Sequence, residues 1–151
     1  MDKLNLLAWV MVRLGVTDNV VESSFRARLR VQKAVYLLQA LGFPTGYEFS
    51  MYIRGPYSPE LANDYMELAR EGLVHEYAKY AEVDEEKWGP IVDKLAAEDV
   101  LVLEVAATLY DLLDAGWPLE EAKERVMELK PYATERLINA GTRLLKELGL
   151  M

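Results

Sequence analysis

Apolar positions in the first forty residues recur at the three- and four-residue spacing of a helix face. Leu4, Leu7, Ala8, Met11 and Val12 predict a helix over 3–14, with Gly15 where it would stop. Val31, Ala34, Val35, Leu38 and Leu41 predict a longer helix from about Ser24 to Leu41, ended by Gly42 and Pro44. The period then changes. Tyr47, Phe49, Met51 and Ile53 alternate with Glu48, Ser50 and Tyr52, the pattern of a half-buried strand. Arg54-Gly55-Pro56-Tyr57 turns the chain, and Ser58-Pro59-Glu60 reads as a helix start. The serine can cap free N–H groups, proline suits the first helical position, and glutamate suits the positive end of the dipole.

That helix extends to about Arg70 with Leu61, Tyr65 and Leu68 inward, and Leu73 to Tyr77 is a candidate second strand. Helical patterns follow over 84–97, 99–114, 118–129 and from Lys130-Pro131 to about Leu148. Gly89-Pro90 marks either the true start of the first of these or a kink. The helix at 99–114 has Leu101, Val102, Leu103 and Val105 in near succession, so several of its faces should be buried, and a homodimer seam could cover one. The predicted class is mainly α (α+β): a winged-helix-like core over 1–80 with two short strands, and a helical extension over 81–151. With no flexible linker between them, the two parts are expected to form a single domain over 1–151.

Charge divides the chain unevenly. Residues 1–57 carry seven Lys or Arg against four Asp or Glu, a balance of +3, while 58–151 carry a balance of −11, for a net charge of −8. Arg26, Arg30 and Lys33 fall at i, i+4 and i+7 and so share an edge of the second helix, with Arg28 pointing elsewhere. This edge, with Arg54, could meet phosphates or an acidic partner, or it could pair with the acidic half of the same molecule. The overall sign disfavours nucleic acid.

Composition narrows the chemistry further. Without cysteine there are no disulfides, thiolates or Cys-ligated metals, and one histidine, His75, excludes sites that need two. Ser58 is explained as a cap rather than a nucleophile. Asp84-Glu85-Glu86 are consecutive helical positions that spread around the axis, so they read as a solvated helix start and not a metal site. The nine glycines sit at turns rather than in a phosphate-cradling loop. No catalytic constellation, cofactor or metal is expected. No run of 18 apolar residues exists to span a bilayer, and the opening Met1-Asp2-Lys3 lacks a signal-peptide layout, so a cytoplasmic protein is expected. Four asparagines and two glutamines beside many Glu, Lys and Arg lean toward a heat-adapted source.

The aromatics are concentrated. Tyr47 and Phe49 are expected to fill the core under the second helix, whereas Tyr52 and Tyr57 bracket Arg54, residue types enriched at interaction hot spots.

The run Arg28-Leu-Arg-Val-Gln-Lys-Ala-Val-Tyr-Leu-Leu-Gln39, then Tyr47 through Leu61 with its Gly-Pro-Tyr-Ser-Pro-Glu-Leu, then Glu71-Gly-Leu-Val74, resembles the YwgA-like proteins of bacteria and archaea. It is more distantly similar to the Panacea antitoxin domain. The matching positions are Gln32, Lys33, Tyr36, Gly55, Pro56, Tyr57, Pro59 and Glu60, and Arg54 stands where an aromatic or neutral residue is frequent. The resemblance implies a small, largely helical regulatory or interaction protein, with an antitoxin-like role as one form of it. The sequence reading is therefore a non-enzymatic module that binds a protein partner through Arg26, Arg30, Lys33, Tyr52, Arg54 and Tyr57. The alternative is a winged-helix regulator that reads DNA.

Overall fold

The computed structural model describes residues 2–151. Among them the protein is mainly helical, with one two-stranded antiparallel sheet. The elements are α1 (Lys3–Leu14), α2 (Asp18–Ser23), α3 (Phe25–Ala40), β1 (Ser50–Tyr52), β2 (Gly55–Tyr57), α4 (Pro59–Arg70), α5 (Val74–Ala78), α6 (Glu85–Ala97), α7 (Val100–Asp114), α8 (Leu119–Leu129) and α9 (Glu135–Leu148).

Local chemistry sets most of these boundaries. Asp2, Ser24, Ser58, Asp84, Asp99 and Thr134 each accept a backbone N–H at the start of a helix, which satisfies donors that have no partner inside it. Pro59 opens α4, as its fixed φ and missing N–H favour. In α6 the helix begins at Glu85, so Gly89-Pro90 does not mark its start.

Two short strands are present, but not both where the alternation places them. Only Ser50–Tyr52 of the 47–53 segment is strand, and its partner is Gly55–Tyr57, paired Ser50 to Tyr57 and Tyr52 to Gly55. Residues 73–77, expected as a strand, instead form the N-cap (Leu73) and most of the helical turn α5. Leu73, Val74, Tyr77 and Ala78 have the spacing of a helix face and all pack against the core. The strand that a winged-helix-like outline needs after α4 is therefore a helix.

The core is a continuous cluster of side chains from α1 to α9. Its centre is α7, where every residue from Val102 to Leu109 is buried, and which packs against α3, β2, α8 and α9. The approach of α9 is close: a Cβ on Gly141 would lie 2.9 Å from Val105 Cγ1 and 3.2 Å from the Ala106 nitrogen. The expected burial of this helix on several faces is met within the chain. The hairpin β1–β2 is held between α3 and α7, and this placement builds the site described next.

Candidate functional site

Three side chains of α3 fix the hairpin segment to the body of the protein. Gln39 grips its start: Nε2 donates to the Tyr47 carbonyl at 2.9 Å and Oε1 accepts from the Tyr47 N–H at 2.8 Å. Gln32, two helical turns earlier, grips its end in the same way through the carbonyl and N–H of Ser58, both at 2.9 Å. Between them Lys33 Nζ donates to the Pro56 carbonyl at 2.6 Å. Each glutamine uses both faces of its amide, so buried backbone groups that lack a ladder partner are satisfied. The Gln-Lys pair of the sequence motif is thereby given a structural role.

Beneath the hairpin lies a buried charge cluster. Lys33 and Glu104 are fully buried and Lys130 nearly so. Lys130 Nζ donates to Glu104 Oε2 at 3.2 Å and lies 3.5 Å from the Ile53 carbonyl. Arg54 Nη1 is 3.7 Å from Glu104 Oε1, an ion pair beyond hydrogen-bond distance, and Oε1 has no hydrogen-bond partner among the described residues. Three cations thus surround one carboxylate. Burial pushes the Lys33 amine down to about 8, with Glu104 opposing the shift and Lys130 and Arg54 adding to it. Lys130 is lowered by burial too, again against the pull of Glu104.

These shifts predict a rise in stability between pH 8 and 10. Unfolded, Lys33 keeps its proton up to its ordinary value of 10.5, whereas folded it releases it near 8. The unfolded state binds more protons across that window, so unfolding becomes harder as pH rises, by up to about 3 kcal/mol. The trend reverses above about pH 10, because Tyr36, Tyr47 and Tyr65 are held above their ordinary value by burial and keep protons that unfolded tyrosines lose. Urea unfolding at stepped pH tests this. Lys33→Met should flatten the rising limb, and an unchanged limb would assign it to another group.

The outer side of the hairpin is apolar and exposed. Ile53 at its tip is 92% exposed, Phe25 and Tyr52 each 51%. Phe25, Leu29, Tyr52, Ile53, Arg54 and Tyr57 line a pocket of about 220 Å³. Tyr52 and Tyr57 meet edge to face at 5.4 Å, and the Arg54 guanidinium stands 5.4 Å from the centre of the Phe25 ring. Both contacts are favourable for these groups and order the rim. Among the described residues β1 pairs only with β2, so its other edge has no strand of them beside it.

Of the residues expected to bind a partner, Tyr52, Arg54 and Tyr57 come together at this pocket, and Arg26 is exposed on the first turn of α3 beside Phe25. Two do not belong to the surface. Lys33 is fully buried, so it cannot touch a partner. Arg30 points across to α6 and donates to the carbonyls of Leu95 at 3.0 Å and Glu98 at 2.7 Å, closing that helix end. Arg28 does the same for α2, donating to Val21 and Glu22.

The remaining motif residues have structural positions. The Tyr36 hydroxyl donates to Asp111 Oδ1 at 3.0 Å and its ring meets Phe49, while Glu60 pairs with Lys3. Gly55 and Pro56 are buried and Pro59 is exposed. Tyr47 is in the core as expected, with its hydroxyl on Asp64 at 2.6 Å. Asp84 caps α6 and Glu85 accepts from the Trp9 indole, consistent with a helix start. His75 is exposed on α5. Phe25, Leu29 and Ile53 are site residues that the sequence pattern does not mark. The inward alternation expected for Tyr47, Phe49, Met51 and Ile53 ends after Phe49: all of β1 is exposed, Met51 included, and Ile53 in the turn is exposed with it.

Among the described residues no helix is long and apolar enough to cross a membrane. Compared with known proteins, the chain matches no family model, and no curated protein or solved structure gives a significant match.

Proposed function

We propose that this protein is a non-enzymatic interaction module that binds a protein partner at the hairpin tip. The observation that carries the reading is Ile53, a branched apolar side chain left almost wholly in water on a hairpin that three α3 side chains, the buried Gln32 and Lys33 and the half-buried Gln39, hold in place. A single exposed apolar residue is ordinary, but here Phe25 and Tyr52 flank it around a preformed pocket. Aromatic and arginine side chains at the rim are the types that dominate binding energy. The open edge of β1 offers backbone groups to an extended segment. An antitoxin-like role, as the YwgA-like and Panacea resemblance implies, would be one instance of this activity.

The duplex-DNA reading has weaker support. Two of the three cations it needs, Arg30 and Lys33, are engaged inside the molecule, and α4 exposes Glu60, Glu67 and Glu71 at its surface and end.

The test is a selection of displayed random peptides on the immobilised full chain, followed by affinity measurements on Ile53→Asp. Selected binders are expected to lose at least about tenfold in affinity on that variant, whose fold should be intact because the side chain it changes is in solvent. Binders that ignore Ile53→Asp would overturn the assignment.

A further inference from the structure

Resting on the hairpin-tip reading, we infer that the partner presents a short acidic segment, seating one large apolar side chain in the pocket and a carboxylate on Arg54. Size is the first argument. A pocket of about 220 Å³ falls below the roughly 300–1,000 Å³ typical of small-molecule sites, so it suits one side chain of a longer chain. Its lining agrees: five of the six residues are aliphatic or aromatic, and the sixth is Arg54.

Charge is the second argument. Lys33, Lys130 and Arg54 face one carboxylate, Glu104, so the ground beneath the pocket carries a surplus of positive charge in a protein whose net charge is −8. Lys33 and Lys130 are buried and act only through their field, whereas Arg54 has its side chain 45% exposed. At 3.7 Å from Glu104, the guanidinium makes no hydrogen bond there and keeps its planar fork of donors for an incoming carboxylate. The nearby basic residues of α3, Arg26 and Arg28, add the same sign beside Phe25. A lysine at the same place in a partner would meet repulsion from all of them, which supplies discrimination as well as attraction.

The experiment uses short fluorescein-labelled peptides with a central Phe or Leu, flanked by Asp/Glu, by Asn/Gln or by Lys, titrated into the full chain and read by anisotropy. The acidic set should bind about tenfold or more tightly than the amide set, with the difference shrinking between about 20 mM and 500 mM salt. The lysine set should not bind. Arg54→Glu should reverse the order. Should that variant fail to fold beside Glu104, Arg54→Gln should still erase the acid-over-amide difference.

Equal binding of acidic and amide peptides, both lost on Ile53→Asp, would overturn the acidic partner while leaving the hairpin-tip reading intact. A preference for lysine would do the same. Self-association that depends on concentration and is abolished by Ile53→Asp would place a second copy in the pocket and overturn the inference. Failure of every peptide to bind, together with selected binders that ignore Ile53→Asp, would remove both readings.

Discussion

Glu104→Gln will destabilise the protein by about 3–5 kcal/mol at neutral pH, the scale of loss seen when one partner of a buried ion pair is removed. Shape is nearly unchanged by this substitution, so packing offers no explanation for the loss. What changes is that Lys130 and Arg54 lose the carboxylate they pair with, Lys33 loses its favourable field, and two of those cations are sealed from water. Against a typical total of 5–15 kcal/mol, this is enough to populate the unfolded state in mild denaturant. Urea titration followed by Trp9 and Trp88 fluorescence, both indoles being in the core, measures it.

Two companion results separate charge from a general packing defect. Raising the pH should restore more stability to Glu104→Gln than to the parent, because Lys33 sheds its proton more readily once Glu104 no longer opposes the shift. The double variant Glu104→Leu with Lys130→Met should recover most of the loss, since an apolar replacement of both partners is often neutral or better. A loss below about 1 kcal/mol, with no pH signature, would mean that the cluster is not ionised as described.

The sequence made the helices legible wherever a cap and a long apolar stripe coincide. Ser58-Pro59-Glu60 and the 3–14 pattern are examples, because both signals are local. Short elements carry too little period to read. Six-residue α2 buries only Val21, and α5 has five residues in which alternation and helix spacing look alike. The basic edge of α3 shows a different limit. Arg26, Arg30 and Lys33 do lie on nearly the same azimuth, yet what faces that azimuth changes along the helix: solvent at Arg26, the end of α6 at Arg30, the hairpin and α7 at Lys33. A helical wheel specifies direction only, and the neighbours come from residues twenty to seventy positions away. Tyr52, Arg54 and Tyr57 were legible as a candidate surface because a turn brings them together locally. Phe25 was not, since only the packing of α3 against the hairpin brings it to the same rim.

Gly55→Ala will cost about 4 kcal/mol and displace the hairpin tip, for two reasons that a double-mutant cycle can separate. Ile53 and Arg54 have negative φ and form a two-residue turn between the paired Tyr52 and Gly55, with Gly55 at φ +90°. A residue with a Cβ held there is strained by about 1–3 kcal/mol. Independently, that Cβ would lie 2.4 Å from Thr108 Oγ1 and 3.7 Å from Lys33 Nζ. Thr108 cannot easily yield, because it is β-branched, buried in α7, and its hydroxyl donates to the Glu104 carbonyl at 2.9 Å. Overpacking of this kind adds about 1–3 kcal/mol. Thr108→Ala removes the clashing oxygen without touching the backbone strain, so Gly55→Ala with Thr108→Ala should be more stable than the two single losses summed, by about 1–3 kcal/mol. The affinity for the acidic peptide should fall in Gly55→Ala and return in part in the double variant, because the clash pushes on the same turn that carries Ile53 and Arg54. Strict additivity would mean that α7 and the hairpin do not approach this closely, and the rigid presentation of the tip would then need another cause.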